Sequence, residues 1–202
     1  QPIRHSRRIH LWKDPMSSRN TLARSLHDVG GAAWFGGSLM GAVGVNAAAA
    51  AVRDPQDRAR TAAVGWAKWA PVSAMAISAH LLGGGAVLYA NRDRAKHQSG
   101  VTSNTVAKIA LTGAALGATV YSGILGAKTA QGDGHSVEGA TEPAASTPED
   151  VAKAQGQLRY LQWALPVLTG AIVVLGAQQG EQQRAGQILA GVGSTLARRI
   201  RD

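Results

Sequence analysis

The chain contains no cysteine among its 202 residues. That excludes disulfides, thiolate metal centres, cysteine nucleophiles and cysteine-linked haem or lipid. Aromatic residues make up only 4% of the chain, and acidic side chains are outnumbered 12 to 21 by Lys and Arg. No catalytic motif occurs, and His135 with its scattered neighbouring carboxylates lacks metal-ligand spacing, so no catalytic residue, metal or cofactor is expected. The most informative lack is local. Residues 29–52, 69–90, 109–127 and 160–179 carry no charged side chain, in runs of 24, 22, 19 and 20. About 20 apolar residues suffice to cross a hydrocarbon layer about 30 Å thick as a helix.

Bulk composition hides this pattern. A mean hydropathy of −0.05 in a 20.8 kDa chain and 45% hydrophobic content would suit a soluble single domain. The runs are built from Ala and Gly more than Leu and Ile, while charges gather at their ends. One Lys, Arg or Asp at a helix centre costs about 2.5 to 3.5 kcal/mol on insertion, against about 0.3 to 0.6 gained per Leu, Ile, Phe or Val. Four charge-free windows therefore predict an all-α, four-helix transmembrane bundle. A soluble Ala-rich bundle is the competing reading, but its helices would show a polar face every turn.

The flanks agree. Lys68 and Arg92 bracket the second window, Lys108 and Lys128 the third, and Arg53 closes the first, where long cationic stems reach the headgroups. Trp34, Phe35, Trp66, Trp69, Tyr89, Tyr160 and Trp163 lie near window ends, as interfacial aromatics do. Pro71 is expected in the first turn of the second helix, and Pro166 to kink the fourth.

With four spans, residues 1–28, 91–108 and 180–202 share one side and hold fourteen of the 21 Lys and Arg; the opposite side holds seven. Both termini are thus expected in the cytoplasm of a multi-pass plasma-membrane protein. Acidic residues divide five to seven, leaving the whole net charge of +9 on the cytoplasmic side. A pI near 10.7 would ordinarily suggest nucleic acid. An anionic lipid leaflet accounts for it more simply, at about 1 kcal/mol per juxtamembrane cation, so no nucleic-acid partner is expected.

Three domains follow: a basic segment 1–28, a membrane domain 29–180 and a tail 181–202. The first segment lacks an apolar core and cleavage site, so the first span reads as an uncleaved signal anchor, with Met16 an alternative start. Leu22, Leu26 and Val29 predict that its helix begins about two turns early. Within the outer connection 128–159, residues 131–150 are rich in Gly, Ala, Ser, Thr and Pro and read as solvated and mobile; the alternative is a docking segment ordered only by a neighbouring subunit, with Thr147-Pro148-Glu149-Asp150 capping the fourth helix. In the tail, Ile188, Leu189, Val192, Leu196 and Ile200 form one stripe beside Arg198, Arg199 and Arg201, a pattern for an in-plane amphipathic helix weakened by its glycines.

Small residues mark helix contacts. Gly30, Gly37, Gly41, Gly44 and Ala48 line one face of the first helix, and Ala110, Gly113 and Gly117 one face of the third; such faces let backbones approach closely in lipid, within the bundle or against other membrane subunits. Gly37-Ser-Leu-Met-Gly41-Ala42 also resembles Gly113-Ala-Ala-Leu-Gly117-Ala118, and Trp69-Ala-Pro-Val resembles Trp163-Ala-Leu-Pro-Val, as a tandem duplication of a two-helix hairpin would leave; Ala/Gly-rich sequence also generates such matches unaided. Few polar groups lie inside the spans. His80 near the centre of the second, with Asn46 and Tyr121, forms the candidate pocket, where His80 could relay a proton, bind a quinone carbonyl or ligate haem iron. The competing reading is a neutral imidazole satisfied by a nearby hydroxyl or carbonyl. His27, about 20 Å from the midplane by helix rise, is not expected to oppose His80.

The Ser18-Arg-Asn-Thr-Leu-Ala-Arg-Ser-Leu-His-Asp28 entry, the Trp34-Phe35-Gly36-Gly37 start and the Tyr89-Ala-Asn-Arg92 exit resemble those of uncharacterised four-helix membrane proteins of high-GC Gram-positive, actinobacterial type. The resemblance covers most of residues 17–185 and implies topology alone; it carries no activity and no functional residue. Two readings follow from the residues. One is a noncatalytic integral subunit or assembly factor of a larger plasma-membrane complex, plausibly respiratory. The other is a small ligand-, quinone- or haem-binding redox protein with a midplane pocket around His80.

Overall fold

The computed structural model describes residues 16–95, 99–131 and 134–199, and the side-chain surroundings of 21–90, 104–131 and 134–178. Residues 1–15 and the side chains of the tail stripe and of Arg92 lie outside that description. The described residues form four helical rods. The first comprises α1 (Met16–Met40), a π-helical turn Gly41–Val45 and α2 (Asn46–Ala50); the others are α3 (Pro55–Ala95), α4 (Ser99–Ala130) and α5 (Glu149–Arg199). Met40 and Asn46 keep right-handed helical dihedrals on either side of the π turn, so the first rod continues through it, and Asn46 N–H reaches back to Gly41 O.

Three rods, over Pro55–Ala90, Asn104–Ala130 and Glu149–Gln178, are long and apolar enough to cross a membrane. Their outward surface is aliphatic: Leu82, Val120 and Val167 are each more than three-fifths exposed. In water that surface would be unfavourable at about 25 cal/mol per Å². The helices overrun their charge-free windows because hydropathy reports where lipid would lie, not where a helix ends. Pro71 is consequently internal to α3 rather than in its first turn. The backbone of α5 stays helical from Glu149 through Gly180 to Arg199.

The first rod runs antiparallel to α3 and packs on it most extensively; α4 pairs in the same way with α5, and α1 against α5 joins the two hairpins. Close approach is achieved by glycine. A Cβ on Gly30 would lie 2.5 Å from Ala76 O and 2.6 Å from His80 N, Gly37 lies under the Trp69 ring, Gly41 under the Trp66 ring, and Phe35 packs on Gly170. Aromatic rings thus fill the recesses that glycine leaves. Trp34, expected at an interface, is instead buried at the centre with Ala115 and Ile172, ringed by Ile77, Leu111, Leu116 and Leu168. Tyr89, Tyr160 and Trp163 do remain exposed. On α4 the small-residue face does not pack: a Cβ on Gly113 or Gly117 would meet nothing within 4 Å, and Gly44 touches only Met40 of its own rod.

The outer connection is folded, contrary to the expectation of a mobile loop. Val137 and Thr141 are 1% and 4% exposed, and Ala140 packs with Ala49, Ala62 and Trp66 over the end of the first hairpin. Val137 bridges Pro143, Glu142 O accepts from Glu138 and Gly139 N–H, and Pro55 O accepts from Val137 N–H. Gly134 supplies the left-handed turn, at φ 86°. The Thr147 hydroxyl does not cap α5; it accepts from Ala144 N–H and donates to Ser136 O, closing the loop on itself.

Candidate functional site

The polar groups of the apolar zone occur as separate contacts between rods. The first joins α1 to α3. His27 Nδ1–H donates to His80 O and His80 Nδ1–H donates to His27 O, each at 2.9 Å. Because a carbonyl only accepts, both rings carry their proton on Nδ1 in this arrangement. The rings stack with centroids 4.0 Å apart and planes 21° apart, and Trp34 presents an edge to His80 at 6.1 Å. His80 is 2% exposed.

This overturns the placement of His27 far from His80. That placement measured depth from the centre of window 29–52. The packing shows that the window is not centred against α3: Ala49 lies at the hairpin end beneath Ala140, covered there by protein. The part of the first rod level with His80 is 27–30.

A second contact lies toward the folded connection. Asn46 Nδ2 donates to Gln162 Oε1 at 2.7 Å, Trp66 Nε1–H donates to Asn46 Oδ1 at 2.9 Å, and Gln162 Nε2 donates to Thr141 Oγ1 at 3.3 Å. One cluster therefore ties the first rod, α3, α5 and the connection together. Midway between the two, Trp34 Nε1–H donates to Thr119 Oγ1 at 3.2 Å, and that hydroxyl donates to Ala115 O at 2.8 Å. Tyr121 OH donates to Gln157 Oε1 at 2.6 Å on the exposed side of the second hairpin.

His80, Asn46 and Tyr121 are consequently not brought together. Asn46 lies sixteen residues beyond Gly30, the residue against the His80 backbone, which at helical rise is about 24 Å. Tyr121 turns to α5. A single pocket lined by all three does not exist in this fold, and each polar side chain already has a protein partner. Nor can the stacked His27 and His80 rings ligate one haem iron between them at a 4.0 Å centroid separation. Among the described residues no group of three or more His, Asp or Glu could hold a metal ion.

The connection is pinned by two side chains that sequence reasoning did not single out. Arg58 donates through Nε to Val52 O at 2.9 Å and through Nη1 to Val137 O and Glu138 O at 3.3 and 3.1 Å, and its guanidinium is 3.6 Å from the Glu138 carboxylate. Gln155, fully buried, donates through Nε2 to Gly139 O and Ala140 O at 3.0 and 3.3 Å. Nothing in a Gly/Ala/Ser/Thr loop announces such partners, because they lie on helices 15 to 80 residues away and bind its backbone. Compared with protein-family models, with curated proteins and with solved structures, the chain matches none.

Proposed function

We propose that the protein is a noncatalytic, multi-pass membrane subunit or assembly factor of a larger plasma-membrane complex, of actinobacterial type. The observation that carries this reading is the use made of its polar side chains: His27, His80, Asn46, Gln162, Trp34 and Thr119 are engaged in bonds from one rod to another. Polar groups converging on a ligand would leave donors or acceptors facing a cavity; here they set helix register instead. The exposed aliphatic surface supplies the lipid and partner contacts.

In this reading the first rod also spans. Trp34 packs with Ile77, Ala115 and Ile172, which sets a common level for the four rods. The uncharged part of the first rod, beginning at Val29 after Arg24 and Asp28, is long enough to make up the roughly 30 Å thickness of the hydrocarbon layer. Both termini lie in the cytoplasm, where the basic residues meet anionic lipid. A respiratory complex suits a subunit of this kind.

Mild-detergent purification of the tagged chain from native membranes tests the reading. A stoichiometric assembly with other integral subunits, lost from membranes of a strain lacking the chain, is expected. A lone chain carrying a tightly bound coloured or quinone-like molecule would contradict it.

A further inference from the structure

The crossing of α1 and α3 is symmetric in sequence as well as in geometry. Ala23-Arg-Ser25-Leu-His27-Asp-Val-Gly30-Gly31 on α1 and Ala76-Ile-Ser78-Ala-His80-Leu-Leu-Gly83-Gly84 on α3 share Ala-x-Ser-x-His-x-x-Gly-Gly. We infer that α1 and α3 are two copies of one self-complementary helix-pairing element, related by a local two-fold axis across their crossing, so that the partner this surface fits is an antiparallel copy of itself.

Composition alone produces chance matches in Ala/Gly-rich helices, but it does not produce reciprocal contacts. A Cβ on Gly30 would run into Ala76 O, His80 N and His80 Cα; one on Gly83 would run into Ala23 O, His27 N and His27 Cα. A Cβ on Gly31 would lie 3.0 Å from His80 Nδ1, and one on Gly84 2.8 Å from His27 Nδ1. Each imidazole donates to the backbone carbonyl of the other at 2.9 Å, and the two rings stack on the axis. Ser25 and Ser78 are both exposed. Each of these contacts on one helix thus has its mate on the other.

Each part of the element has a physical role. The first glycine removes the Cβ that would hold the backbones apart, and the second makes room for the opposing imidazole. The histidine supplies a donor long enough to reach across, and the small Ala lets its carbonyl be approached. A slip of one residue would break both hydrogen bonds and drive side chains into both backbones at once, so the element fixes the register of the hairpin. Two-fold pairing requires antiparallel helices with an axis perpendicular to them, unlike a tandem hairpin repeat, whose axis runs along the membrane normal.

The test compares two-fold mates in the full-length protein in detergent micelles, by thermal unfolding followed by circular dichroism. His27→Ala and His80→Ala should both lower the midpoint, by about 2 to 6 °C each for one lost hydrogen bond in a chain of this size. Gly30→Ala and Gly83→Ala should both lower it further, while Gly85→Ala, which meets nothing within 4 Å, does not lower it. A silent member opposite a damaging mate overturns the inference. Should a variant fail to fold, the unaltered protein labelled with ¹⁵N-histidine gives an independent reading: His27 and His80 should both show protonated Nδ1, and an Nε2–H tautomer at either would contradict the two-fold pairing.

Discussion

Asn46 Nδ2 lies 2.7 Å from Gln162 Oε1, a direct bond between the first rod and the last, separated by 116 residues of chain. The same Asn46 amide accepts the Trp66 indole N–H, so one small side chain bridges three rods. Asn46→Ala would orphan a donor on Trp66 and an acceptor on Gln162. A loss of about 1 to 3 kcal/mol is expected, since removing one partner leaves the others desolvated. Gln162→Ala should cost less, and a double-mutant cycle in detergent unfolding should give a coupling of at least about 0.5 kcal/mol.

Look-alike glycines on the first and third rods should respond in opposite directions. Gly37→Ala drives a methyl into the Trp69 ring, a clash expected to cost about 1 to 3 kcal/mol. Gly113→Ala and Gly117→Ala meet no atom within 4 Å and exchange glycine for the best helix former, for a gain of about 0.5 to 1 kcal/mol each. Unfolding midpoints of the three single variants measure this.

Trp34 combines volume with one hydrogen bond. Trp34→Phe keeps most of the ring and loses the bond to Thr119, a loss of about 1 kcal/mol. Trp34→Ala empties the centre of the bundle and is expected to cost about 3 to 5 kcal/mol. The ratio of the two losses shows whether packing or the hydrogen bond dominates.

The folded connection depends on a guanidinium. Arg58→Ala should raise amide exchange at residues 137–142 by at least about tenfold, because charge-assisted bonds contribute about 1.5 to 3 kcal/mol. Arg58→Lys should not restore protection, since a point charge cannot donate to Val52, Val137 and Glu138 from one plane. Hydrogen exchange resolved to that segment gives the result.

Helical class and the apolar rods were legible from charge-free runs, because lipid imposes a solvent constraint that a one-dimensional scan detects. Register was not. Window 29–52 merged two causes of apolarity, the bundle contacts of residues up to Gly44 and the burial of Ala49 under Ala140, and the merged centre misplaced His27. Trp34 was assigned to an interface from its position near a window edge, whereas it packs with Ala115 and Ile172 at the centre of the bundle. Small-residue spacing marked Gly37 and Gly113 alike, yet the Trp69 ring covers one and nothing covers the other. Contacts made through backbone carbonyls, such as those of Arg58 and Gln155, leave no side-chain signature in the loop they hold.

Because the chain has no cysteine, depth can be read one residue at a time. Met75, Val120 and Val174 are exposed aliphatic positions within a few residues of the Trp34 level, and Glu138 lies on the folded connection. With single cysteines in sealed, right-side-out membrane vesicles, a membrane-impermeant maleimide is expected to label Glu138→Cys promptly. It should leave Met75→Cys, Val120→Cys and Val174→Cys unlabelled until the protein is denatured. Labelling of those three as fast as Glu138→Cys would mean that water, not lipid, surrounds the bundle, and would contradict the account at its base.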